Sequence, residues 1–104
     1  MYITIRRFRI DPDVMDEVID LAKDKFLPEL AAIPGFKAFY HLRAAEDTLV
    51  SVSVFEDKTG ADASNRLSQE CVKDHFADLL PEPPEVIEGE VVTLELAKGL
   101  ISAH

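Results

Sequence analysis

The stretch from Ile33 to Asp57, IPGFKAFYHLRAAEDTLVSVSVFED, carries a histidine, an arginine and two serines at alternating positions. In an extended chain Phe39, His41 and Arg43 project to one side, and Ser51, Ser53 and Phe55 repeat that spacing after a short turn. A histidine titrates near neutral pH and can take up a substrate proton, and an arginine can hold negative charge developing on oxygen. The bland alternative for His41 is an interface histidine bonded to Ser51. Tyr2, Arg6 and Phe8 share a parity in the opening segment, where Arg6 could pair with Glu95. Asn65 lies early in a later helical stretch, and Cys71 and His75 stand one helical turn apart in it. That spacing could lower a thiol pKa, but a small core cysteine and a half-buried structural histidine are the expected readings. A metal centre needs about three protein ligands, and His75 has no companions, so no metal is expected. Gly-rich phosphate loops, paired-carboxylate sites and Ser-His-Asp spacing are all missing, and nothing supports flavin or nicotinamide binding, so no cofactor is expected.

These residues need a scaffold, and the patterning supplies one. Tyr2 to Ile10 is rich in β-branched and aromatic residues and reads as a strand. Asp11 and Pro12 then form a helix start, with Asp13, Asp16 and Glu17 at the positive end of the dipole. Apolar residues at helical spacing carry this helix to about Leu27, and Pro28 interrupts it. The quoted stretch makes a hairpin. DKTGADASNRLSQECVKDHFADLL returns to helical spacing, with Ala61, Leu67, Cys71, Val72 and Phe76 on its buried side. The final strand is expected near Glu88 to Ala97, where Val92, Leu94 and Leu96 alternate. The order β-α-β-β-α-β predicts an α+β, ferredoxin-like fold, with two helices on one face of a four-stranded antiparallel sheet in the order 4-1-3-2. Residues 1–97 read as one domain and 98–104 as a C-terminal tail.

Pairing the hairpin so that Leu42 faces Val50, Tyr40 faces Val52 and Ala38 faces Val54 separates two faces. The aliphatic one, joined by Ile3 and Ile5, is the face expected beneath the helices. The other carries Tyr2, Arg6, Phe8, Phe39, His41, Arg43, Ser51, Ser53 and Phe55. With only two helices it would stay open, so a second copy is expected to cover it, giving a homodimer that closes into an α/β barrel. The mixed residues would then line the barrel interior.

Composition excludes several classes. Twenty acidic residues against eleven basic give a net charge of −9, which repels nucleic-acid phosphates and anionic lipid. No apolar run approaches the ~20 residues of a membrane span. The chain starts directly into YITIRRFRI without a signal-peptide core, and the lone Cys71 cannot form an internal disulfide, so a cytoplasmic location is expected.

The segments IPGFKAFYHLRAAED, TLVSVSVFED and GEVVTLEL, with the helix GADASNRLSQECVKDHFADLL between the last two, resemble the antibiotic biosynthesis monooxygenase superfamily of dimeric α/β barrels. The resemblance implies a cofactor-independent monooxygenase acting on a small aromatic, quinol- or polyketide-like ligand. The mixed face offers His41 as general base and Arg43 as oxyanion partner, and the resemblance adds Asn65 on a substrate carbonyl or oxygen. A non-catalytic ligand-binding or dimerisation module is the alternative. The haem-degrading branch is disfavoured: the chain has no tryptophan, Asn65 stands at the nearest equivalent site with His75 ten residues on, and the first strand has RR in place of that branch's asparagine.

Overall fold

The structure, a computed structural model of the chain, describes residues 1–98. The rest of the expected tail, 99–104, lies outside the described residues. Strands β1 (Tyr2–Arg9), β2 (Phe36–Ala45), β3 (Thr48–Phe55) and β4 (Glu85–Glu90) form one antiparallel sheet in the order β2-β3-β1-β4, as expected. Along the strands the hairpin register is also the expected one, His41 facing Ser51, Leu42 Val50 and Tyr40 Val52, but at the turn it shifts, so that Ala45 and not the expected Ala44 faces Thr48.

Between β1 and β2, Asp11 accepts a hydrogen bond from the Asp13 N–H and starts a 3-10 turn, Pro12–Val14. Helix α1 (Met15–Lys25) follows, and Pro28 sits in the first turn of a short α2 (Leu27–Ala31), where its missing N–H does least harm. Gly35, at φ 85°, takes the left-handed conformation that turns the chain into β2. Helix α3 (Lys58–Cys71) begins at Asp57, whose carboxylate accepts from the Gly60 N–H at 3.4 Å, and runs into a π-helical turn, Val72–Phe76.

Two expectations fail. The last strand spans Glu85–Glu90, not Glu88 to Ala97. Its pairing partner β1 ends opposite Glu90 at Tyr2, so beyond Val91, whose N–H reaches the Met1 carbonyl at 2.8 Å, no strand remains to pair with. Val92 and Leu94 are therefore exposed despite their strand-like alternation.

The second failure concerns the faces. The helices cover the mixed face, burying Thr4, Arg6, Leu49, Ser51, Ser53 and Phe55. The aliphatic face is the open one, with Tyr40 56%, Leu42 50% and Ile87 60% exposed. Alternation tells which residues share a face, not which face the helices take. Here side-chain size decides. α3 buries a ridge of small residues, Gly60, Ala61, Ser64 and Ser68, and these allow close approach to a face whose bulk comes from Phe8, Leu49 and Phe55. Ile10, Met15, Val18, Phe26, Leu30 and Phe76 complete the core.

Gly60 shows how tight that contact is. A Cβ there would lie 2.7 Å from Cδ1 and 3.1 Å from Cβ of Phe55, a ring with no exposure. Alanine ordinarily stabilises a helix by about 1 kcal/mol over glycine, whereas overpacking a core costs roughly 1–3 kcal/mol. Gly60→Ala is therefore expected to lower unfolding stability by roughly 1–2 kcal/mol net in urea titration. An unchanged or raised midpoint would show that the Phe55 ring gives way.

Candidate functional site

The inward turn of the mixed face creates a small, partly open cavity, about 40 Å³, between sheet and helices. β1 supplies Arg6 and Phe8, β2 supplies His41, and β3 supplies Leu49 and Ser51. Val18 and Ala22 of α1, Ser68 and Cys71 of α3, and Val72 and Phe76 of the π turn close the other side. The volume suits water molecules, each needing about 10–15 Å³ by this measure.

Arg6 is the unusual member, a guanidinium 1% exposed. It donates to Ser53 Oγ at 3.3 Å, Ser64 Oγ at 2.9 Å and Asn65 Oδ1 at 2.9 Å. All three acceptors are neutral. The Asn65 amide then donates to the Glu88 carboxylate at 2.6 Å, so the acidic partner stands one residue away. Burial lowers the Arg6 pKa to about 10, against the opposing field of Glu88, and the side chain keeps its charge at neutral pH. Glu95, the partner expected from the sequence, lies beyond the end of β4.

His41 is half-buried, its ring 4.7 Å from that of Phe39 in an edge-on contact. Desolvation, with a smaller effect from the Lys23 ammonium, pushes its pKa below the ordinary value. The imidazole is thus neutral at pH 7 and able to accept a proton. Ser51 faces it across the hairpin, and the Ser51 hydroxyl is fully buried with no hydrogen-bond partner among the described residues.

Several sequence candidates fall elsewhere. Arg43 leaves the cavity for the surface, where it meets Asp16 of α1 at 2.6 Å, because β2 is an edge strand and the arginine reaches past the helix. His75 is exposed on the π turn and does not line the cavity. Cys71 does line it, but desolvation, with Glu29 and Asp74, raises its thiol pKa, the opposite of an activated nucleophile. Phe55 and Tyr2 pack into the core, and Phe39 packs on Phe26 with ring centroids 6.0 Å apart. Ser53 and Asn65 act on Arg6, Ser53 without lining the cavity. The residues missed in the sequence are Ser64 and Ser68. Their signal was present in the four-residue spacing of Gly60, Ser64 and Ser68, a row of small residues along one helix face.

A family model described as antibiotic biosynthesis monooxygenase matches residues 1–80. The chain belongs to this family. A comparison with curated protein sequences found no match. Among solved structures, a protein of unknown function from Nitrosomonas europaea is 22% identical with a TM-score of 0.76, covering 94% of this chain and 95% of that one. A monooxygenase from the gene ActVA-Orf6 of Streptomyces coelicolor, in complex with nanaomycin D, is 16% identical with a TM-score of 0.75, covering 93% and 92%. Rv0793 from Mycobacterium tuberculosis is 19% identical with a TM-score of 0.68, covering 93% and 98%. These likenesses show a shared fold. Among the described residues, no helix is long and apolar enough to cross a membrane.

The depressed pKa of His41 has a consequence for acid stability. Between its lowered value in the fold and the ordinary 6.5, the unfolded chain binds the proton and the folded chain does not. Stability from this group is therefore complete above pH 6.5 and declines as the pH falls through the lowered folded value. His41→Gln should flatten the melting temperature against pH below 6.5 relative to wild type, and parallel profiles would assign the acid limb to other groups.

Proposed function

We propose that the protein is a monooxygenase that oxidises a small aromatic, quinol- or polyketide-like substrate in the cavity between sheet and helices. The observation that carries this reading is the placement of a neutral histidine and a buried arginine charge on the walls of one cavity. Family membership supports the reaction class. In the proposed reaction, His41 removes a proton from the substrate, and the resulting negative charge is held by Arg6, in the part expected of Arg43. The substrate anion is oxidised by dioxygen. One oxygen atom ends on the ring carbon as a carbonyl, and the other leaves as water with the two hydrogens of that carbon. The electrons come from the substrate itself, so the reading calls for no metal or organic cofactor.

The same reading makes the protein a cytoplasmic homodimer, with the open aliphatic faces closing on each other. Support comes from Tyr40, Leu42 and Ile87, large apolar residues exposed together with the half-buried Ile3, Ile5, Val50 and Val52. Val52 lies at the centre of the sheet, paired with Ile5 on one side and Tyr40 on the other. Val52→Arg is expected to halve the mass measured by light scattering, and an unchanged mass would remove this face from the interface.

One observation favours the dimerisation module of the non-catalytic alternative: about 40 Å³ is far below the ~300 Å³ of a typical small-molecule site, whether for turnover or for binding alone. Oxygen uptake with a panel of quinols and anthrones decides between the two readings. His41→Ala should slow uptake by roughly a hundredfold or more. No uptake with any member of the panel, or equal rates in wild type and variant, would leave the non-catalytic module.

A further inference from the structure

Both acceptors on Arg6 Nη2 have their direction set by a second hydrogen bond. Ser64 Oγ, 2.9 Å from Nη2, donates its own proton to the Ala61 carbonyl at 2.6 Å, so only lone pairs face the guanidinium. Asn65 could point either way, because a side-chain amide has an accepting and a donating end of nearly equal shape. Glu88 makes the choice. Its carboxylate accepts from Asn65 Nδ2 at 2.6 Å, which leaves Oδ1 to accept from Arg6 at 2.9 Å. An ionised carboxylate accepts only, so the reversed amide would set oxygen against oxygen at Glu88 and N–H against N–H at Arg6.

The sheet brings the carboxylate there. Glu88 faces Thr4 in the ladder between β1 and β4, which puts it on the same face as Arg6. As part of an edge strand it stays exposed, so the charge that answers a guanidinium 1% exposed remains hydrated and no second ion is buried. Its field works against the lowering of the Arg6 pKa by burial.

The arrangement also decides which donors remain. A guanidinium has five N–H groups. The two hydrogen bonds from Nη2, to Ser64 and Asn65, match its two hydrogens, and Nη1 gives one to Ser53 at 3.3 Å. A carboxylate in direct contact would commonly take a pair of N–H groups side by side. With the acid one residue away, the second Nη1 N–H and the Nε N–H are left over among the described residues.

We propose that Glu88 is a positioning residue of the site: it fixes the Asn65 amide, and the fixed amide holds the Arg6 guanidinium in one orientation with two N–H groups left for the substrate. The inference rests on the reading in which Arg6 holds the substrate's negative charge, and adds to it a residue that does not line the cavity.

Charge reversal tests it. In Glu88→Lys an ammonium draws Asn65 Oδ1 to itself and turns the amide N–H groups toward Arg6. Asn65→Asp sets a second carboxylate against Glu88. In the double variant one carboxylate accepts from the lysine on one side and from Arg6 on the other, so the chain of donors and acceptors is whole again. Restricted rotation about the Arg6 Cζ–Nη bonds, seen as separate Nη signals in nitrogen NMR, reads the orientation. The signals should be separate in wild type, merged in Glu88→Lys and separate again in the double variant. In oxygen uptake kcat should fall by roughly tenfold or more in Glu88→Lys and return to within about threefold of wild type in the double variant, a coupling that independent surface changes would not show. Should Glu88→Lys not fold, Glu88→Ala, which only deletes an exposed carboxylate, is read in the same way. The inference is overturned if the signals are merged in wild type, if they stay separate in Glu88→Lys, if the two single losses add in the double variant, or if uptake is unchanged although the signals merge. The expected NMR pattern without oxygen uptake by any form supports the hold on Arg6 and sinks the monooxygenase reading alone.

Discussion

A single buried cation organises this molecule. Arg6 rises from the middle of β1 and bonds to β3 through Ser53, to α3 through Ser64 and Asn65, and through Asn65 to Glu88 of β4. Three strands and the long helix are thereby keyed to one guanidinium. Such a charge under a helix is destabilising unless its donors are met, which explains why the serines of this face point inward. Hydroxyls that would look wasteful in an apolar core are the acceptors that make the burial tolerable.

The small residues of α3 follow from the same constraint. To bring Ser64 Oγ within 2.9 Å of Arg6, the helix must ride close to the sheet. Gly60 against Phe55 and Ala61 beside it permit that approach, and a bulkier ridge would lift the hydroxyls out of reach. The cavity lies where the close packing ends. There α3 gives way to the π turn, and Val72 and Phe76 face α1 across the space that His41 and Ser51 enter from the sheet. Close packing and cavity are two ends of one helix–sheet contact, and Arg6 lies where they meet.

The sheet thus divides its labour by face. The inner one holds the polar network, the cavity and the histidine kept neutral by burial. The outer one, aliphatic and half-exposed, has none of these groups and holds the apolar area that association would bury. A protein with its helices on the polar-containing face leaves much of its most conventional core surface, Val50 and Val52 of β3 among it, only half-buried.

Much of the architecture was legible in the residues themselves. Strand and helix types, the strand order and the hairpin register followed from alternation, helical spacing, the Asp11–Pro12 start and the Pro28 break, all of which are local or pairwise properties. Family resemblance pointed to the same scaffold. His41, Arg6, Phe8 and Ser51 were picked out by their shared parity, and the fold gathers them around one space. Tertiary structure alone decided which face the helices cover, because alternation is symmetric between the two sides of a sheet and only the fit of Gly60, Ser64 and Ser68 against Phe55, Ser53 and Arg6 breaks that symmetry. It also ended β4 at Glu90, where its partner strand runs out, and carried Arg43 to Asp16 and His75 into solvent. Those outcomes depend on where neighbouring elements stop, a distance in space that no spacing along the chain encodes.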